Sequence, residues 1–230
     1  MIQRILLLTV AVGTWACSGS DNPASPTVPS PVVTVAPSAR YRVTFDATWS
    51  ASTHPTEAPR VPHFSGLIGA THGESRRFWD AGALATEGIR AMAEMGRKTP
   101  LDQEVLSAIA AGGAQHLLSG GSIDLSPATV ALDFEIGREY PLVTLVSMVA
   151  PSPDGFVGVS ALSLFDGGDW VQERVVSLRP WDAGTDSGVT FESRDRATAP
   201  REPITRIATG PLVVGADVPP MGTFTFRRLP

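Results

Sequence analysis

From Arg40 onward the apolar positions alternate: Tyr41, Val43 and Phe45 are separated by Arg42 and Thr44. A period of two predicts a half-buried strand. The alternation returns at Val130, Leu132, Phe134 and Ile136, set against Ala131, Asp133 and Glu135. Residues 142–150 (LVTLVSMVA) are almost continuously apolar, which predicts a strand covered on both faces. Segments 156–164, 170–178, 188–193, 204–208 and 222–228 read as further short strands between Gly, Pro and Asp turns. Two stretches change period. Residues 83–96 (ALATEGIRAMAEMG) suit a short helix closed by Gly96. Thr99-Pro100-Leu101-Asp102 offers an N-cap, a proline at the first helical position and a carboxylate in the first turn, and predicts a helix to about Ala111. Residues 50–78 carry Pro55, Pro59 and Pro62 and read as irregular. Together these elements predict a mostly β fold, an antiparallel β-sandwich with two short inserted helices packed at one end or edge.

The first 39 residues follow another logic. Arg4 precedes an eight-residue apolar run, Ile5 to Val12, too short to span a bilayer. Residues 1–16 therefore read as a signal peptide. Ala16 stands before Cys17, the only cysteine, in the manner of a bacterial lipobox, which would leave Cys17 as a lipidated N-terminus. The third position before the cysteine is Thr14 where that pattern prefers Leu. An ordinary secretory signal with an incidental cysteine is the alternative, and on either reading the chain leaves the cytoplasm. Residues 18–39 hold five prolines among Ser and Thr, as in a semi-rigid tether. The folded part is then 40–230.

Composition narrows the classes. A single cysteine excludes an internally disulfide-stapled scaffold. With 43% hydrophobic and 18% charged residues the chain is not disordered throughout. A net charge of −5 and the lack of a basic stripe argue against a nucleic-acid partner.

Candidate chemistry is carboxylate-rich. Asp154 closes Pro151-Ser152-Pro153-Asp154 after the apolar run, and Asp166-Gly167-Gly168-Asp169 reads as a hairpin turn. Asp182 and Asp186 lie four apart in a Gly-containing loop, 181–188. Such a loop can turn both carboxylates to one point, and Asp154 from a neighbouring loop would add a third. Hard cations take six to eight oxygen ligands from this kind of acidic loop. Asp is equally a turn former, and spacing alone leaves both readings open. His54, His63, His72 and His116 show no zinc-binding spacing and read as structural. There is no nucleophile elbow and no phosphate-cradling glycine loop. Trp49, Trp79, Trp170 and Trp181 read as core or loop-packing residues.

The order of these segments resembles the spondin domain family, of the F-spondin and mindin type. The resemblance is carried by Tyr41, Val43, Phe45, Trp49, Thr53-His54-Pro55, Pro62-His63-Phe64-Ser65 and His72. It continues through residues 147–154 (SMVAPSPD), 156–159 (FVGV), Trp170, residues 181–188 (WDAGTDSG) and Phe191. It covers about residues 40–228 and implies a sandwich similar to C2 domains, with calcium held in loops at one end. It further implies Asp154, Asp182 and Asp186 as ligands, with Glu135 as the acidic residue on the preceding strand; Asp133 points to the same face. Gly155 stands where the family usually has an aromatic residue, and the disulfides and thrombospondin-type repeats of the animal proteins are missing.

The expectation is therefore a non-enzymatic, extracytoplasmic calcium-binding module of a bacterial envelope. Its partner would be an unknown surface or matrix ligand, protein or glycan, and its membrane contact a lipid anchor at Cys17 only. Alternatives are a hydrolase using the acidic cluster or the histidines, or a purely structural envelope lipoprotein.

Overall fold

In the computed structural model, residues 35–230 are described. The signal peptide, Cys17 and most of the tether lie outside them. The first strand, β1 (Ser38–Ala47), starts two residues earlier than the alternation suggests, and Ala39 is buried. After it come β2 (His63–Phe64), β3 (Ile68–His72), α1 (Glu87–Met95), α2 (Leu101–Ala110), β4 (Ala114–Ser119), β5 (Ala128–Gly137), β6 (Leu142–Ala150) and β7 (Gly155–Ser163). The rest is β8 (Phe165–Asp166), β9 (Asp169–Trp170), β10 (Glu173–Ser177), β11 (Trp181–Asp182), β12 (Thr205–Arg206) and β13 (Gly222–Arg228).

Two antiparallel sheets face each other. One has the order β10-β13-β1-β5; the other runs β12-β11-β7-β6-β3-β4, with β2 also on β6. The period of two in β1 sends Tyr41, Val43 and Phe45 inward, opposite Phe134, Leu132 and Val130 of β5. Phe45 meets Phe64 and Phe224 edge-on, at 4.8 and 5.1 Å between ring centres. That geometry favours aromatic pairs beyond the area they bury.

All nine residues of β6 are buried. Val143, Leu145 and Val149 enter the core between the sheets. Val146, Met148 and Ala150 enter a second core beneath the helices, with Ile89, Met92, Leu101 and Val105. The helices thus cover the outer face of the larger sheet, a third layer, and are not insertions at an end or edge as expected. They supply the apolar cover that a strand buried on both faces requires.

Local chemistry sets the element ends. Thr86 Oγ accepts from the Ile89 N–H at 3.2 Å, so α1 starts at Glu87; Gly96, at φ 64°, closes it. Thr99 does not cap α2 as expected; its hydroxyl donates to Asp102 Oδ2 at 2.7 Å. The hairpin at 166–169 is present.

Two other expectations are corrected. The segment read as irregular holds β2 and also β3, which lies between β6 and β4. Residues 188–193 are a turn, because Ser193 Oγ takes the Val189 and Thr190 N–H groups at 3.1 and 3.0 Å and withdraws them from any ladder.

Candidate metal centre

The two acidic loops meet at one end of the larger sheet because β11 pairs with β7, which sets Asp182 opposite Gly155. After β6 the chain turns through Ser152, whose hydroxyl donates to the Val149 carbonyl at 2.5 Å and accepts from the Gly155 N–H at 3.0 Å. The turn delivers Asp154, only 3% exposed. Its Oδ2 accepts from the N–H groups of Thr185 and Asp186 at 2.7 and 3.0 Å, and from the Thr185 hydroxyl at 3.3 Å. Asp182 Oδ1 accepts from the Gly184 N–H at 2.7 Å, curling the loop back on itself. Gly184 is at φ 72°, and a Cβ there would sit 2.1 Å from the Glu202 carbonyl oxygen. Asp186 Oδ1 accepts from the Gly188 N–H at 2.7 Å, and its Oδ2 from the Arg196 N–H.

Asp154, Asp182, Asp186 and Glu202 line one cleft of about 600 Å³, with Phe191 and Leu212 among its apolar walls. Burial, followed by the charge of Asp182, pushes the Asp154 carboxyl up to about 6 against the backbone donors that favour its ionised form. Burial likewise raises Asp182, with Glu202 and Asp186 adding to it. Among the described residues, Asp154 Oδ1 and Asp182 Oδ2 have no hydrogen-bond partner. The donors are hard carboxylate oxygens under mutual repulsion, and their chemistry fits an oxygen-seeking cation. Among the described residues, no three His, Cys, Asp or Glu side chains are already closed into a metal-holding cluster.

Sequence spacing pointed to Asp154, Asp182 and Asp186, and the fold brings these three to one cleft. Glu135 stays apart. It is exposed on β5 opposite Arg40, and its neighbour on that face, Asp133, forms a two-pronged pair with Arg42 at 2.6 and 2.8 Å. The alternation that makes β5 a strand turns both acids to solvent, on the other sheet from the cleft. Glu202 was missed; between Arg201 and Pro203, in a stretch that also holds Asp195, it gives no local signal. No histidine lines the cleft. His54 and His72 are buried and hydrogen-bonded, and burial lowers the pKa of both. Trp49, Trp79 and Trp170 are buried, as read from sequence.

Comparison with known proteins gives one consistent result. The family model described as Spondin_N matches residues 39–212. Spondin-1 of Gallus gallus is 39% identical over 176 residues, which is 72% of this chain and 21% of that protein. Spondin-2 of Rattus norvegicus is 34% identical over 211 residues, 86% of this chain and 64% of that protein. For Spondin-2 of Homo sapiens the figures are 34% over 195 residues, 83% and 57%. The chain thus spans about a fifth of the Spondin-1 proteins and less than two thirds of the Spondin-2 proteins.

Proposed function

Because the chain belongs to the Spondin_N family, we propose that it is a non-enzymatic, calcium-binding ligand or adhesion module that acts outside the cytoplasm. Asp154, Asp182 and Asp186 hold the ion, and Glu202 adds negative charge to the same cleft. The observation that supports this most is the convergence of buried Asp154 and half-buried Asp182, whose ionised forms burial and mutual repulsion disfavour. A divalent cation relieves both penalties and joins the 151–154 and 181–188 loops. Cys17 carries the lipid anchor of an envelope lipoprotein, and the partner is a surface or matrix ligand, protein or glycan. Among the described residues no helix is long and apolar enough to cross a membrane.

Thermal melts of the full chain with EDTA, then with graded calcium, test this reading. A ligand bound only by the native state adds about 2.7 kcal/mol at a hundredfold excess over Kd. In a domain of this size that raises Tm by several degrees. The expected result is a calcium-dependent rise that Asp182→Asn abolishes. A flat response from protein verified as metal-free would remove calcium from the proposal.

A further inference from the structure

Beside the acidic cleft lies a second depression, of about 270 Å³, lined by Arg179, Arg206, Ile207, Ala208, Asp217 and Val218 among others. Arg206 and Trp181 are register partners across β11 and β12. The Arg206 guanidinium lies 3.7 Å from the centre of the Trp181 ring. Its Nη1 donates to the Arg179 carbonyl at 2.8 Å. Trp181 is itself braced by Trp79, with ring centres 5.1 Å apart. A stacked guanidinium with one backbone acceptor is held in one plane, so binding through its other N–H groups costs little further ordering.

Arg206 also lines the acidic cleft that holds Asp154, Asp182, Asp186 and Glu202. Among the described residues it has no carboxylate within ion-pair distance. Arg179 stands close enough that its charge, after burial, disfavours the protonated form of Arg206. Asp217 is the one carboxylate lining the depression. Its Oδ1 is taken by Arg179 Nη1 at 2.7 Å and by the Val218 N–H at 2.8 Å. An anion in the depression would relieve the positive charge that remains.

We propose that this depression is an oxyanion site, in which Arg206 donates to a sulfate or phosphate group beside the Arg179–Asp217 pair. Arg206, Ile207 and Ala208 are shared with the acidic cleft, so the anion is titrated with calcium removed.

The full chain, in EDTA and at constant ionic strength set with chloride, is titrated with inorganic sulfate, inorganic phosphate and acetate. The readout is the Arg206 Nε–Hε signal in ¹H–¹⁵N spectra. Sulfate or phosphate should give a saturable shift, and acetate should bind at least about tenfold more weakly. Arg206→Gln should abolish saturable binding, followed for this variant through the backbone amides of Ile207 and Ala208. Arg206→Lys keeps the charge but loses the planar fork, and should weaken binding by about tenfold. Arg194→Gln, an exposed residue of another loop, should leave affinity unchanged. A heparin-derived tetrasaccharide separates the sources: tighter binding than inorganic sulfate assigns the group to a glycan, and equal binding assigns the free ion. A linear response to every anion, equal binding by Arg206→Gln, or an equal loss in Arg194→Gln would overturn the proposal. If Arg206→Gln fails to fold by circular dichroism, Arg206→Lys decides the same question.

Discussion

The backbone N–H of Thr185 donates to Asp154 Oδ2 at 2.7 Å, tying together two loops 31 residues apart. This bond orients a carboxylate that is almost wholly buried. It also favours the ionised form that burial and the Asp182 charge oppose, and the opposition prevails. The site is therefore organised by its own backbone yet uncomfortable without a counter-charge.

Asp154→Asn should accordingly change sign with conditions. The amide oxygen can still accept from Thr185 and Asp186, while the buried charge is gone. In EDTA at pH 7 the variant should be more stable than the wild type by about 1–3 kcal/mol, since two pKa units correspond to about 2.7 kcal/mol. With calcium in excess the order should reverse, because a ligand is lost. Urea melts in both buffers check this.

The pH dependence follows from the same shift. In the folded, metal-free protein Asp154 titrates at about 6, against 3.8 for the ordinary side chain. Between those values the native state binds more protons than the unfolded state. The Asp154 contribution is therefore greatest below pH 3.8 and is lost as pH rises through 6. His54 and His72 act in the opposite direction, since burial keeps them neutral and their contribution fades as pH falls below 6.5. The difference in stability between wild type and Asp154→Asn isolates the carboxylate. In EDTA it should widen in favour of the variant from pH 4 to pH 7.

Gly184→Ala should damage the site without removing a ligand. The residue is at φ 72°, and the new Cβ would meet the Glu202 carbonyl at 2.1 Å. The loop would have to open, at a cost of about 1–3 kcal/mol. The expected outcome is a lower Tm in EDTA together with a calcium response weakened at least tenfold.

Glu202→Gln should separate charge from structure. Glu202 is exposed, and its backbone N–H holds the Gly184 carbonyl at 2.9 Å, a contact that the substitution keeps. Its charge raises Asp182. Metal-free stability should stay within about 0.5 kcal/mol of the wild type, while calcium affinity falls severalfold by calorimetry. Unchanged affinity would show that Glu202 only borders the cleft.

Thr144→Val probes the centre of the larger sheet. Thr144 Oγ lies 2.8 Å from His72 Nε2 and accepts from the Ala161 N–H at 3.0 Å. His72 Nδ1 faces the Gly73 carbonyl at 2.9 Å, which makes it the donor and leaves Nε2 to accept from Thr144. Valine is similar in shape but leaves two buried partners unsatisfied, and should cost about 2–4 kcal/mol in a urea melt. Hydrogen exchange at Ala161 should speed up with it.

Much of this protein is legible along the chain. The alternation through Tyr41, Val43 and Phe45 and the apolar run 142–150 specify strands because side chains repeat every two residues whatever lies across from them. Gly96 closes a helix through donors to carbonyls one turn earlier, whereas the start at Thr86 lies three residues later than the sequence suggests. Asp154, Asp182 and Asp186 stand out because turn chemistry is local as well. β3 was hidden because Ile68-Gly69-Ala70-Thr71-His72 has little strand character of its own. Gly69 is there because a Cβ would fall 1.9 Å from the Thr144 carbonyl oxygen, a neighbour 75 residues away. The place of Glu135 on the other sheet from the cleft, the arrival of Glu202 beside Asp182, and the stack of Arg206 on Trp181 depend on which strands pair and in what register. Sequence alone determined the periods, the helix stop at Gly96 and the acidic turns, since each is an interaction over a few residues. Only the tertiary structure decided which carboxylates share a cleft and which arginine stacks on Trp181, since those depend on distances between segments that the chain itself keeps far apart.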